Sequence, residues 1–425
     1  MFSRNLAVRI LYLVLGFANS FLLARVLGVQ DYGFYTFCLS IIAILCIPAQ
    51  LGFPTLLTKE FAASRANGVW GETRGLVKFS HMSVLFVSIF LMLFLSGYAY
   101  WSGADYTDNQ LLALCIAGGL IPLLSLGALR DSMLRGMHYV IASMLAENVV
   151  RPVFFFVLLS IIYLSGQISA SLPVIMFFYI IFSLIAFMIS WAFYFKNRPL
   201  GLKNAHPELA VGSWMKYVFP VGMATAFQVV NAQLSFIVLG VFVTPAEVGV
   251  YRIAVLFSGI VTIFLQVVDS YVGPKFSEMY VCGQIEEINK LYRKVTKIVF
   301  FATTPLVIFL CIAAPILISG MYGATFSTAI TPMFILVFGQ FFVAISGPSA
   351  LLLLMSGHQK DALSALMISF AVNVLLHAIL VGSYGIIGVA VSNCVMLILW
   401  KIILTFQVRK RFGMTILQKI ESPRD

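Results

Sequence analysis

Apolar runs of membrane-spanning length follow one another along almost the whole chain, and the Lys and Arg residues between them fall in every second gap. An apolar segment of about 20 residues crosses hydrocarbon as a helix, because no water is present there to satisfy its backbone. The runs lie near 6–27, 34–57, 79–98, 110–130, 141–164, 172–195, 214–242, 250–273, 297–319, 329–354, 361–382 and 385–408. They predict an all-α polytopic membrane protein with about twelve transmembrane helices. The basic gaps hold Arg4, then Lys59, Arg65, Arg74 and Lys78, then Arg130 and Arg135, then Lys196, Arg198, Lys203 and Lys216. Lys275, Lys290, Arg293, Lys294 and Lys297 follow, then Lys360, then Arg409, Lys410, Arg411, Lys419 and Arg424. The intervening gaps carry no Lys or Arg but hold Asp31, Asp105, Asp108 and Glu247. Cytoplasmic loops are the ones enriched in Lys and Arg, so both termini are expected in the cytoplasm.

Composition narrows the function classes. Only 10% of the residues are charged, where soluble domains run near a quarter. Twelve spans and their gaps use up nearly all 425 residues, leaving no room for a separate soluble domain. The net charge of +11 is spread over the inner gaps, where it sets orientation and meets anionic membrane lipids. Nucleic-acid binding does not fit, because no basic domain exists. Of the six Cys, five lie in apolar runs and no Cys-x-x-Cys occurs, so neither a disulfide nor a metal site is expected. His81 and His377 stand alone without metal-ligand companions. No phosphate loop, nucleophile triad or metal cluster is present, and the chain is expected not to be an enzyme. No cofactor is expected, with proton or sodium coupling left open. The first apolar run lacks a cleavage site and reads as an uncleaved helix. Residues 285–299 put Ile285, Ile288, Leu291, Val295 and Ile298 on one face, which predicts an amphipathic helix on the inner surface.

The two halves repeat. Leu-Leu-Ala-Arg-Val-Leu-Gly-Val-Gln-Asp-Tyr-Gly-Phe-Tyr (22–35) parallels Val-Leu-Gly-Val-Phe-Val-Thr-Pro-Ala-Glu-Val-Gly-Val-Tyr (238–251). Gly33 meets Gly249, Tyr35 meets Tyr251, Asp31 meets Glu247 and Gln50 meets Gln266. Lys59 meets Lys275, Lys78 meets Lys294, and Gly136 lies near the counterpart of Gly357. Matches on polar and Gly positions carry more weight than apolar identities. Six spans repeated once predict two pseudo-symmetric six-helix bundles, 1–210 and 211–425, in the same orientation.

The stretch Leu-Ala-Arg-Val-Leu-Gly-Val-Gln-Asp-Tyr-Gly-Phe-Tyr, with Leu-Arg-Gly-Met-His (134–138) and Ser-Gly-His-Gln (356–359), resembles polysaccharide-export flippases. These are the Wzx-type O-antigen and capsule repeat-unit flippases, whose superfamily also holds multidrug and toxic-compound extruders and lipid II flippases. The resemblance implies two bundles around a central cationic cavity. It further implies transfer of an undecaprenyl-diphosphate-linked oligosaccharide repeat unit across the bacterial inner membrane by alternating access. A polysaccharide polymerase and a chain-length regulator are its implied partners. The short outer gaps argue against polymerases and ligases, which carry a large outer loop. A cation-coupled drug extruder of the same superfamily and a non-transporting scaffold of a glycan assembly complex are the alternatives.

Five basic residues lie inside the runs: Arg9, Arg25, Arg151, Arg252 and Lys401. An ionisable group within a span is costly and marks a candidate site. Arg suits phosphate through its planar fork, so Arg9, Arg25, Arg151 and Arg252 are the candidate diphosphate ligands. Arg9 is equally an interfacial topology charge, and Arg25 and Arg252 are equally gate residues beside Asp31 and Glu247. Arg151 has Glu147 one turn earlier, which allows a structural ion pair. Lys401 reads as an interfacial side chain. Asp269 is the carboxylate inside the second half, suited to ion coupling or to a charge pair. Asn19, Gln50, Asn231, Gln233 and Gln266, with Gln228 and Asn373, form a polar set that binds sugar hydroxyls or other helices.

Overall fold

The computed structural model describes residues 2–101, 106–165 and 171–413, without the side chains of residues 2–10 and 270. Every regular element among them is helical. The chain forms two compact units, Met1–Gly240 and Val241–Asp425. The first holds α1 (Phe2–Gln50), α2 (Phe53–Asn67), α3 (Gly71–Trp101), α4 (Asp108–Gly118), α5 (Leu120–Gly136), α6 (Val140–Leu145), α7 (Arg151–Ser165), α8 (Leu172–Asn197), α9 (Leu200–Asn204) and most of α10 (Val211–Phe242). The second holds α11 (Pro245–Gly259), α12 (Ile263–Val281), α13 (Ile285–Leu317), α14 (Ile330–Ile345), α15 (Ser349–Met355) and α16 (Gln359–Phe412).

Ten helices among the described residues are long and apolar enough to cross a membrane, where the sequence predicts about twelve spans. The difference lies at two glycines. α1 carries Gly28 at φ 74°, and α16 carries Gly385 at φ 51°. The chain doubles back at both. Ser20 Oγ lies 2.7 Å from the Tyr32 hydroxyl, although a straight helix would separate them by about 18 Å along its axis. Asn373 Nδ2 donates to Asn393 Oδ1 at 3.3 Å, where a straight helix would separate them by about 30 Å. Each glycine thus makes a tight turn, in a backbone conformation that L side chains rarely adopt. A Cβ at Gly385 would also sit 3.1 Å from Glu247 Oε2.

The helices pack through small residues. In α3, Gly75, Leu76, Ser80, Val84 and Ser88 are buried, while Met82, Phe86, Phe90, Leu93 and Phe94 are exposed. The large apolar side chains therefore face outward to lipid, and the small ones admit neighbouring helices closely. The repeat places α10 at the head of the second half, but residues 211–240 group with the first unit. The turn from α1 to α2 explains this. A Cβ on Gly52 would meet the Val218 carbonyl oxygen at 2.4 Å, and one on Gly222 would meet the Gly52 nitrogen at 3.0 Å. Around this contact Phe53, Leu57, Phe61, Leu76, Leu129, Met133, Trp214 and Val218 form the core of the first unit. The core of the second unit is Phe276, Ile288, Val295, Val299, Leu352, Leu353, Leu404 and Val408.

The expected surface helix at 285–299 is instead the first half of α13, which continues unbroken to Leu317. Its buried stripe is Ile288, Tyr292, Val295 and Val299, whereas Ile285 and Ile298 are exposed. The stripe docks on the unit's core, and the Tyr292 hydroxyl donates to the Ser346 carbonyl at 2.7 Å.

Because the Gly52 contact is backbone to backbone, a side chain there has no flexible neighbour to displace. Overpacking of this kind costs about 1–3 kcal/mol. Gly52→Val is expected to lower the unfolding midpoint of the purified protein by several degrees, whereas Gly97→Ala, with nothing within 4 Å of its Cβ, leaves it unchanged. Equal midpoints for the two variants in a thermal melt would refute the contact.

Candidate functional site

The first unit carries a buried charge cluster that the pattern of gaps misassigns. Arg130 reads as a gap charge in the sequence but is 0% exposed in α5. Its Nη2 lies 2.8 Å from Asp131 Oδ1 and 3.4 Å from Glu147 Oε1. Its Nη1 donates to the Phe187 carbonyl at 3.2 Å, and the guanidinium sits 5.5 Å from the centre of the Phe187 ring. Glu147 therefore pairs with Arg130, not with Arg151 as its spacing suggests. Gly127 makes the room, since a Cβ there would lie 2.5 Å from Glu147 Oε1. The adjacent Asp131 was the available sequence signal, because an isolated Arg seldom enters a bundle without a carboxylate.

Between α6 and α7 the helix widens into a π turn, Ala146–Val150, and the Arg151 N–H bonds the Ala146 carbonyl five residues back. Pro152 accounts for the change: it lacks an N–H, and its ring crowds the carbonyl four residues before it. Arg151 lies near the middle of the span Val140–Ser165. Its guanidinium rests 5.3 Å from the centre of the Tyr179 ring. Tyr179 meets Tyr35 edge-on at 6.0 Å and Phe155 at 5.2 Å. Asn19 Nδ2 donates to the Pro152 carbonyl at 3.0 Å, while its buried Oδ1 has no hydrogen-bond partner among the described residues. The fold thus gathers Asn19 and Tyr35 from α1, Arg151 from α7 and Tyr179 from α8. Among the described residues no carboxylate lies within ion-pair distance of Arg151.

The second unit sets the repeat partner of Tyr35 in a comparable place. Asn393 Nδ2 donates to the Tyr251 hydroxyl at 2.6 Å, and Asn373 Nδ2 donates to Asn393 Oδ1. His377 Nδ1 meets the Asn373 carbonyl at 2.8 Å, and Asn373 Oδ1 is buried without a partner among the described residues. The register Tyr35/Tyr251 therefore presents a buried Tyr to polar residues of later helices in both units. The polar residues are cationic in the first unit and neutral amides in the second.

Lys401 is 2% exposed and does not reach an interface. Its Nζ donates to the Gly347 carbonyl at 2.9 Å and to Ser349 Oγ at 3.4 Å, bridging the turn between α14 and α15. Asp269 lies within its electrostatic reach, with Oδ1 buried and unbonded. The remaining candidates are dispersed. Arg25, Arg252 and Gln266 are exposed, and Gln266 Nε2 lies 3.3 Å from Thr262 Oγ1. Gln50 and Gln233 are half-buried, and Asn231 keeps a buried, unbonded Oδ1. Gln228 is exposed. Arg9 lies on α1 where side chains fall outside the described residues. Among the described residues no three His, Cys, Asp or Glu side chains gather as metal ligands.

The family model for polysaccharide biosynthesis proteins matches residues 3–280. The chain belongs to the polysaccharide biosynthesis protein family. Among curated relatives of this family member, a probable low-salt glycan biosynthesis flippase, Agl15 of Haloferax volcanii, is 21% identical over 377 residues. That match covers 87% of this chain and 75% of the relative. Among solved structures, an inward-facing multidrug resistance MATE transporter of the MOP superfamily superposes with a TM-score of 0.75 at 14% identity. It covers 95% of this chain and 94% of its own. The lipid II flippase MurJ in its inward closed conformation gives 0.70 at 18% identity, covering 96% and 87%. These structural likenesses establish a shared fold.

Removing one partner of a buried ion pair typically costs about 3–5 kcal/mol, because the other charge stays buried. Arg130→Ala is therefore expected to lose most folded protein from the membrane fraction. Arg130→Met combined with Asp131→Asn and Glu147→Gln should recover a substantial part. Failure of the triple variant to exceed Arg130→Ala in a monodisperse-yield assay would show that charge burial is not what Arg130 serves.

Proposed function

We propose that this protein is a flippase for lipid-linked oligosaccharide repeat units, of O-antigen or a related surface polysaccharide, carried on undecaprenyl diphosphate. It would move them from the inner to the outer leaflet of a bacterial cytoplasmic membrane by alternating access. The family of polysaccharide biosynthesis proteins and the resemblance to a glycan flippase support this reading. The observation that carries it is Arg151: a cation near mid-span with no carboxylate within ion-pair distance among the described residues. Such a charge is costly unless something anionic joins it.

The physical problem is a diphosphate with sugars attached. Taking it bare through hydrocarbon would cost tens of kcal/mol, by the cost of burying charge. Arg151 offers a planar fork to the phosphate oxygens. Asn19 Oδ1 is an acceptor for a sugar hydroxyl, and the Tyr179 and Tyr35 rings give flat apolar faces. Arg130 is neutralised by its two carboxylates and serves the helix packing. Asp269 is the candidate for proton or sodium coupling. Reading each arm of α1 and α16 as a crossing returns twelve spans, with both termini in the cytoplasm and the basic gaps on that side. A polymerase that consumes the outer-leaflet units and a chain-length regulator fit as partners. The extruder alternative shares the fold, but a drug cation would be repelled by Arg151.

Hydrogen bonds to a charged group contribute about 1.5–3 kcal/mol, so Arg151→Ala is expected to slow transfer by roughly tenfold or more. In a strain lacking the native gene, this variant should reach the membrane in normal amount yet leave repeat units at the inner leaflet and surface polymer depleted. Normal surface polymer at normal protein level would remove Arg151 from the path. Unchanged polymer with new sensitivity to cationic drugs would move the protein to the extruder branch.

A further inference from the structure

The first unit has a second cationic site, away from Arg151, that no part of the transport reading uses. A cavity of about 430 Å³ opens between the start of α3, the end of α8 and α9. Arg74, Lys78, Arg198 and Lys203 line it, with Val77, Leu202 and Tyr194. Tyr194 and Leu202 are buried and form its floor. None of the four cations lies within ion-pair distance of a carboxylate among the described residues.

The site is built, not incidental. Arg74 Nη1 donates to the Lys203 carbonyl at 2.8 Å and also to the Ala205 carbonyl, which ties α9 to α3. Gly201 lets α9 press against Trp70, since a Cβ there would lie 2.4 Å from the indole. Gly71 and Gly75 let the strand of chain after α9 lie flat on α3, where the Glu208 N–H donates to the Gly71 carbonyl at 3.1 Å. The fold therefore fixes Arg74 at one hollow that the exposed Lys78, Arg198 and Lys203 also line. An anion in the hollow offsets the repulsion among them.

We propose that this pocket binds the phosphate head group of an anionic membrane phospholipid. Its surroundings favour a lipid over a free phosphate. Phe195 is 53% and Leu200 76% exposed beside it, and Arg198 sits 5.4 Å from the centre of the Phe195 ring. The cations thus border an apolar surface on which acyl chains lie. All four belong to the basic gaps, and the cytoplasmic leaflet is the anionic one. Basic pockets between helices on that side recognise phosphorylated head groups.

The test is native mass spectrometry of the purified full-length protein with phosphatidylglycerol, cardiolipin or phosphatidylcholine. The wild type is expected to retain the two anionic lipids and release phosphatidylcholine. The variant Lys78→Gln/Arg198→Gln/Lys203→Gln keeps the Arg74 tie and should weaken anionic lipid binding by about fivefold per cation, about a hundredfold in all. Its unfolding midpoint in phosphatidylcholine should match the wild type. Lys294→Gln/Lys297→Gln/Lys410→Gln removes the same charge elsewhere and should retain the lipid. Equal loss in both variants would overturn the site in favour of diffuse surface attraction. Displacement of the lipid by equimolar pyrophosphate would overturn the lipid in favour of a free phosphate. In the wild type, retention should fall in about 1 M salt, where screening reaches within about 3 Å, and salt-independent retention would also overturn the proposal. None of these readouts depends on transport, so they stand apart from the flippase test.

Discussion

Inside a bilayer an unpaired backbone N–H or C=O has no water to turn to, and this constraint governs the structure throughout. It makes every described element helical and confines departures from regular helix to places where another partner exists. Gly28 and Gly385 reverse the chain within otherwise continuous helices. At Pro152 the ladder widens into a π turn, so the Arg151 N–H finds the Ala146 carbonyl and keeps its bond. At the turn between α14 and α15, the Gly347 carbonyl is met by the buried ammonium of Lys401. The last two irregularities each carry a charged side chain, Arg151 at the π turn and Lys401 at the α14–α15 turn.

The same constraint separates two kinds of intramembrane charge. Arg130 has two carboxylates and a carbonyl, so its burial is offset locally and its effect is to lock α5 to the π turn and to α8. Arg151 sits one helical turn beyond Glu147 on an aromatic face. Glu147 lies within ion-pair distance of Arg130 but not of Arg151, so among the described residues the Arg151 guanidinium has no direct carboxylate contact. A structural network and a candidate ligand site are thus adjacent, and the first makes the second available. The basic pocket between α3, α8 and α9 likewise gathers cations, Arg74, Lys78, Arg198 and Lys203, with no carboxylate within ion-pair distance among the described residues.

Much of this was legible in the sequence because hydrophobic length and loop charge are local properties. The apolar runs survive as helices, and the repeat that aligns Tyr35 with Tyr251 survives as a shared buried register. Arg151 and Asn19 were both visible as polar residues within runs. The errors came where a residue's meaning depends on a helix distant in sequence. Arg130 looked like a loop charge because it stands at the edge of its run, and only packing against Phe187 and Glu147 buries it. Lys401 looked interfacial for the same reason. The helix at 285–299 looked like a surface anchor because its apolar face could not be seen meeting Phe276 and Leu352.

The sequence by itself determined the class and the family, since segment length and short motifs need no three-dimensional context. Only the tertiary structure decided which charges neutralise one another. Spacing offered Glu147 to Arg151, but the hollow left by Gly127 and the approach of α5 gave it to Arg130. Which charges neutralise one another depends on how closely they approach, because their attraction grows as separation shortens, and distances between helices are set by packing, which one helix at a time does not reveal.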